Sequence, residues 1–193
     1  MLSSIYHQVK DGLAEMPRMV KHFLIRAFIL FIVWEGVYLG FLQKDRILDG
    51  PLTNLTAQLT AKSLNIFYPE SSFHTQEIQF KQYMDGWIQT DKSVVWRDQQ
   101  RLIGIADGCN GLNLFMLFLG FILAYPSNIR LKLSFGLGGL IFIFGVNILR
   151  CVGLGMVQIH YPNFTIYAHH YIFNVLTYAV VFFLWIKFSK WAS

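Results

Sequence analysis

The chain has 193 residues, of which 54% are hydrophobic and 17% aromatic. Only 14% of them are charged, against about 25% in soluble domains, and the mean hydropathy is +0.43. These values exclude an ordinary soluble domain and predict a multi-pass membrane protein. The pI of about 9.2 comes from basic residues beside the apolar runs, which favours anionic lipid as a partner and not nucleic acid.

Four apolar segments come close to the roughly 20 residues that a helix needs to cross a bilayer. They predict membrane spans at about 23–42, 106–125, 133–159 and 171–188. No cleavable signal peptide is evident, because several charges fill the segment 1–22 and no A-x-A site follows the first apolar run. We therefore expect residues 1–193 to form a single integral membrane domain of the all-α, polytopic class.

Basic residues flank the predicted spans unevenly and indicate the orientation of the chain. They fall before or at the start of span one, in the short loop between spans two and three, and after span four. With both termini in the cytoplasm all of them would lie inside, as the positive-inside rule requires. The segment 1–22 is then cytoplasmic, and residues 43–105 are an extracytoplasmic loop. The flanking basic residues are Lys10, Arg18, Lys21, Arg26, Arg130, Lys132, Lys187 and Lys190.

The extracytoplasmic loop carries patterns of secondary structure. Apolar residues at helical spacing between two prolines predict an amphipathic helix lying on the outer leaflet or over the bundle. This row is Leu52, Leu55, Leu59, Ser63 and Ile66. Partial alternation then predicts two or three short strands, a β-hairpin-like segment whose last strand, about 101–106, leads into span two. Residues 5–20 predict an interfacial helix on the inner side, broken near Pro17.

Three reactive side chains are expected at one depth, near the outer boundary of the membrane. Cys109 precedes Pro126 in the inner loop by about 26 Å of helix. Arg150 follows Arg130 of the same loop by about 30 Å. The pair 169–170, two histidines, immediately precedes span four. Short connections favour packing of these helices as neighbours, so we expect the three groups to lie close together.

A thiol, an imidazole and a guanidinium suit acyl transfer through a thioester. A nearby cation favours the thiolate, which is the nucleophilic form of Cys109. A histidine can take the proton as general base and return it to a leaving amine. Arg150 can stabilise a developing oxyanion through several N–H donors. The glycines Gly108 and Gly111 would let a substrate backbone approach the sulfur closely.

Glu35 is an acidic residue well inside the first predicted span. A carboxylate there costs about 2.5 kcal/mol or more on insertion scales, so it is expected to have a function or a partner. It could orient a histidine or neutralise Arg150. The alternative is a structural hydrogen bond to a Trp, Tyr or Asn side chain on another span.

These residues resemble the motifs of the exosortase/archaeosortase family. The family has Cys, then Ser or Asn, then Gly at the outer start of a span, which here is 109–111. An Asn-x-x-Arg motif follows on the next span, here Asn147 to Arg150, and a His precedes a later span, here His169 or His170. The likeness covers about residues 101–188 and, more loosely, the leucine-rich helix before them.

The resemblance implies a membrane cysteine protease or transpeptidase of the bacterial cytoplasmic membrane, with its site on the extracytoplasmic side. It would cut the C-terminal sorting signals of exported proteins and pass the acyl group to water or to an amine on a lipid or glycan. The implied catalytic residues are Cys109, Arg150 and His169. The implied or possible supporting residues are His170, Asn110, Gly111, Asn147 and Glu35.

The sequence also departs from the family pattern. Four spans are fewer than the eight or so of many members. The family's His-Asp-x-x-Gly is replaced by 169–173, which read His-His-Tyr-Ile-Phe. Aligning the first histidine makes His169 the catalytic candidate and puts His170 in the place of the Asp.

Two other classes of function remain open at this point. Cys109 and Cys151 could form a membrane thiol–disulfide oxidoreductase, although the chain has no C-x-x-C. The polar groups could also serve only helix packing in a non-enzymatic scaffold. No cysteine or acid has ligand spacing to the histidines, so the sequence predicts no metal and no cofactor.

Overall fold

The computed structural model describes residues 17–77 and 93–192, which are mostly helical and include one small sheet. The predicted inner helix at 5–20 falls largely outside them. The long helices are α1 (Arg18–Val37), α2 (Asp49–Phe67), α3 (Leu112–Ala124), α4 (Ile129–His160) and α5 (Phe173–Ala192). The strands are β1 (Phe73–Glu77), β2 (Ser93–Arg97) and β3 (Gln100–Ile105). Two π-helical turns, Tyr38–Leu42 and Ala168–Ile172, extend α1 and precede α5.

Three helical stretches of the described chain are long and apolar enough to cross a membrane. They are Arg18–Leu42, Ile129–His160 and Pro162–Ala192, and they correspond to the first, third and fourth predicted spans. Their mean hydropathies are 1.8, 2.1 and 1.7. The protein is therefore a multi-pass membrane protein, and these three spans follow from the apolar runs of the sequence.

The second predicted span, 106–125, is only partly helical. Its helix α3 has 13 residues, about 20 Å at 1.5 Å per residue, which is less than the roughly 30 Å hydrocarbon core. Asp107–Cys109 form a 3₁₀ turn instead. Gly111 has a φ of +92°, which is not an α-helical value, so no α-helix can run through this residue. The α-helix of this segment therefore begins at Leu112 and not at residue 106, a break that apolar content does not report, and the second span stays a prediction.

The loop between α1 and α3 folds into a layer of one helix and one sheet. The sheet is antiparallel in the order β1–β2–β3, one strand more than a hairpin. Helix α2 packs on the sheet and on α4. Asn65 of α2 forms two hydrogen bonds of 2.8 Å with the backbone of Phe73, which secures strand β1 at the sheet edge.

The buried face of α2 differs from the leucine row. Leu55 and Ile66 of that row are 44% and 78% exposed. The buried face is instead mostly small or polar, and consists of Asp49, Thr53, Thr56, Ala57, Thr60, Ala61 and Leu64. Small side chains allow the close approach of α2 to α4. Leu52 and Leu59 of the leucine row are only half-buried.

Helices α3, α4 and α5 form the packed bundle, and α1 packs against α3. Phe118 of α3 sits against Gly139 of α4, where an added Cβ would come within 2.2 Å of the ring. At one end of the bundle aromatic contacts join the start of α1 to the end of α3, as in Phe23–Tyr125, and the start of α4 to the end of α5, as in Phe135–Trp191. The polar side chains of the next section lie at the opposite end.

Candidate active site

A cavity of about 220 Å³ opens at the end of the bundle away from the basic flanks. Cys109, Arg150 and His169 all line it, so the structure brings together the three side chains that the sequence placed at one depth. Its wall is otherwise glycine, amide, hydroxyl and apolar, and contains no carboxylate. The other lining residues are Gly108, Gly111, Asn113, Leu114, Asn174, Thr177 and Tyr178.

Cys109 ends a tight 3₁₀ turn, and its side chain lines the cavity. The backbone N–H of Cys109 donates to the carbonyl of Ala106 at 2.8 Å, which closes the 3₁₀ turn. Gly111 then takes the left-handed conformation, where an added Cβ would lie 3.2 Å from Nδ2 of Asn147. That amide nitrogen donates to the Cys109 carbonyl at 3.0 Å. The glycine is therefore required both for its φ and for the approach of Asn147.

Arg150 is 8% exposed, and its guanidinium is held by three neighbours. Nη2 donates to Oδ1 of Asn174 at 3.0 Å and contacts Nδ1 of His169 at 3.4 Å. Nη1 donates to Oδ1 of Asn147 at 3.5 Å. A guanidinium has five N–H donors, so the second hydrogen of Nη1 has no acceptor among the described residues. Nε is buried and also has no acceptor there.

His169 lies between the thiol and the guanidinium. Its Nε2 is 4.0 Å from Sγ of Cys109, and its Nδ1 faces Arg150. It belongs to the π-helical turn Ala168–Ile172, a local widening of the helix that often marks functional sites. His170 is exposed and does not line the cavity, although its ring contacts that of His169.

A second polar cluster holds the cysteine turn from behind. Asn110 is fully buried, and its amide nitrogen donates to Asp49 at 2.9 Å and to Thr53 at 3.2 Å. Thr53 donates to Asp107 at 2.9 Å, and Arg46 binds both oxygens of Asp107 at 2.7 and 3.0 Å. Asn110 therefore faces α2 and not the cavity.

In the ion pair between Arg46 and Asp107, the charge of the arginine does not change over the ordinary range of pH. The hydrogen bond to Asp107 raises the pKa of Arg46 above its usual value. A cation with a raised folded pKa contributes its full stability below its ordinary pKa, and loses it only as pH rises through the folded pKa. Arg46 therefore stays charged across the physiological range.

The remaining candidates of the sequence lie elsewhere. Glu35 is half-buried on α1 and is not among the hydrogen-bond partners of Arg150 or His169. Cys151 is 2% exposed in a cluster between α4 and α2, and both it and Cys109 are free thiols. In the described part of the chain no three His, Cys, Asp or Glu side chains are grouped to hold a metal ion.

Several polar residues of the site were missed by sequence reasoning. Asn174 resembles a packing residue within an apolar span. Its spacing of one helical turn from His170 was the available signal. Asp49, Thr53 and Arg46 lie far from the cysteine in sequence, and nothing in their local pattern indicated that they meet it.

Fold and cavity together define a multi-pass membrane protein with a thiol, an imidazole and a guanidinium at one end of its bundle. A model of the transmembrane exosortase family matches residues 17–186. No match was found among curated proteins or among solved structures. The chain belongs to the transmembrane exosortase family, whose members are generally cysteine transpeptidases, and the predicted family is confirmed.

Proposed function

We propose that this protein is a cysteine peptidase or transpeptidase that cleaves the C-terminal sorting signals of exported proteins. The observation that carries the proposal is the cavity in which Cys109, His169 and Arg150 meet, with the sulfur 4.0 Å from one imidazole nitrogen. A distance of this size is common for catalytic pairs before substrate binds, and shortens in the reacting complex. Membership of the exosortase family supports the same reaction class.

In the acylation step, the Cys109 sulfur attacks the carbonyl carbon of the scissile peptide bond. His169 in the tautomer that carries its hydrogen on Nδ1 accepts the thiol proton on Nε2, a C–S bond forms, and the carbonyl oxygen becomes an oxyanion. Arg150 supplies positive charge and the unused Nη1 hydrogen for this oxygen. Collapse of the intermediate breaks the C–N bond, and His169 gives its proton to the leaving amine.

The thioester is then consumed by a second nucleophile. Water or an amine attacks the acyl carbon, His169 takes the proton of the nucleophile, and the thiol leaves with that proton. Water yields a carboxylic acid, and an amine on a lipid or glycan yields a new amide. Both outcomes use the same side chains, so the acceptor depends on what reaches the cavity.

The same proposal places the cavity on the extracytoplasmic side of a bacterial cytoplasmic membrane. The described basic flanks Arg18, Lys21, Arg26, Arg130, Lys132, Lys187 and Lys190 lie toward the aromatic end of the bundle, away from Cys109. The positive-inside rule assigns that end to the cytoplasm. Helix α3 and its cysteine turn together run beside α4 as far as Asn147, about 27 Å from Ile129, and complete a fourth crossing. Helix α2 then lies in the outer interface.

The two cysteines separate this function from thiol redox chemistry. Acyl transfer predicts that Cys109→Ala abolishes processing of a reporter that ends in an apolar anchor and a basic tail. Cys151→Ala should retain most of it, because Cys151 is buried outside the cavity. Equal loss from both changes at normal protein levels, with a 109–151 disulfide on non-reducing gels, would support a redox enzyme instead. Full processing of the reporter by Cys109→Ala would contradict the proposed enzyme and favour the non-enzymatic membrane scaffold.

A further inference from the structure

Asn174 uses both atoms of its amide to connect two parts of the site. Its Oδ1 accepts from Nη2 of Arg150 at 3.0 Å, the shortest contact of that guanidinium. Its Nδ2 donates to the backbone carbonyl of His170 at 3.2 Å, within the π-helical turn that carries His169. One side chain therefore binds both the cation and the backbone segment of the imidazole.

Asn147 makes the matching connection on the other side of the same guanidinium. Its Oδ1 accepts from Nη1 of Arg150 and its Nδ2 donates to the Cys109 carbonyl. Two amides thus bracket Arg150, one tied to the backbone at the thiol and the other, Asn174, tied to the backbone at the imidazole. Because both amides bind the Arg150 guanidinium, this group links the backbone at Cys109 to the backbone at His170.

The chemistry at position 174 requires an amide. A carboxylate would accept from Arg150, but it would offer the His170 carbonyl no donor. Its negative charge would also neutralise the positive charge of the guanidinium. An aliphatic side chain would leave both the carbonyl and the guanidinium without this partner. A position that requires both an acceptor and a donor tolerates fewer residue types than one where a polar side chain only packs within a span.

We propose that Asn174 is a positioning residue, which holds the Arg150 guanidinium against His169 by binding Arg150 and the His170 carbonyl with one amide. The inference rests on the proposed acyl-transfer function. A misplacement of about 1 Å in such a site costs about 100-fold in rate. The effect of losing Asn174 therefore belongs to kcat, since Arg150 acts on the oxyanion, and KM stays close to the wild-type value.

The experiment measures kcat and KM in proteoliposomes for Asn174→Leu, which keeps volume and removes both hydrogen bonds. The substrate is the reporter with an apolar anchor and basic tail, and active enzyme is counted by alkylation of Cys109. We expect kcat to fall about 10- to 100-fold at constant KM. Asn174→Gln keeps an acceptor and a donor on a longer arm and should recover about tenfold of that loss. Asn163→Leu, the same change at an exposed residue of the preceding turn, is the control.

If Asn174→Leu does not reach the membrane, the same kcat and KM measurements are made on Asn174→Ala, because alanine favours the helix. A kcat within threefold of wild type for the truncated variant, or a glutamine variant no better than it, would overturn the role of Asn174. If Cys109→Ala is inactive at the same time, the peptidase function itself stands. A fully active Cys109→Ala would remove both the function and this inference.

Discussion

Substitution of Arg150 by lysine separates a transition-state role from a role in anchoring the helix. The guanidinium reaches His169, Asn147 and Asn174 with two nitrogens, at 3.0 to 3.5 Å. A lysine ammonium is a single nitrogen on a flexible stem and cannot occupy both positions, so the planar arrangement is lost although the charge remains. We expect the variant to insert normally and to bind substrate, but to lose most of its turnover.

The magnitude follows from the contacts that lysine cannot replace. Loss of one donor to an oxyanion costs about 100- to 1,000-fold in rate, about 2.7 to 4 kcal/mol of barrier. Among the described residues, only Asn174 contacts this guanidinium at an ordinary hydrogen-bond length. A hydrogen bond to a charged group contributes about 1.5 to 3 kcal/mol to stability. The variant should therefore be less stable by up to about 1.5 to 3 kcal/mol and much slower, with kcat falling and KM nearly constant.

The assay follows cleavage of the reporter in membranes, normalised to folded enzyme. Arg130→Lys is the matched control, because Arg130 is an exposed arginine at the opposite end of the same helix α4. If lysine at position 150 cleaves at near the wild-type rate, Arg150 is an interfacial anchor, for which lysine serves equally well. The proposed role in stabilising the oxyanion would then be refuted.

Three further predictions use features around the same turn. Gly111→Ala should lower the melting temperature by the equivalent of about 1 to 2 kcal/mol, because its φ of +92° is strained for any residue with a Cβ; an unchanged melting temperature would contradict the strain. A double-mutant cycle of Arg46→Gln and Asp107→Asn should give a coupling of about 1 kcal/mol in stability, whereas additive effects would mean that the pair contributes nothing. A membrane-impermeant thiol reagent on intact cells should label Cys109 and leave Cys151, which is 2% exposed, unlabelled; cleavage of the 43–105 loop by protease only from the cytoplasmic side would reverse the proposed orientation.

The long spans and the meeting of three reactive side chains were accessible from sequence for a simple reason. Apolar length reports the crossing of a bilayer, and helical rise converts residue number into depth. Counting from the inner loop therefore placed Cys109 and Arg150 at one level before any contact was known. The choice of His169 over His170 as the catalytic candidate stays a prediction, although only His169 lines the cavity.

The contacts that hold the site were not accessible in the same way. The cluster of Asp49, Thr53 and Asp107 joins residues more than 50 positions apart, and no local period reports such a meeting. The leucine row of α2 was the strongest pattern in its segment, yet the buried face is the small one around Thr53, because close helix packing favours small side chains. The α-helix of the second predicted span begins only after Gly111 because this residue has a positive φ, and hydropathy carries no information on backbone angles.

The order of the site residues along the chain has a consequence for biosynthesis. His169 follows Cys109 by 60 residues and leaves the ribosome after both Cys109 and Arg150. A nascent chain that has inserted only as far as α4 holds the thiol and the guanidinium but no imidazole to take the proton. On the proposed mechanism, such a chain, or one truncated there, is inert towards its neighbours in the membrane. Competence for acyl transfer then arises only after the segment that carries His169 has been synthesised and inserted.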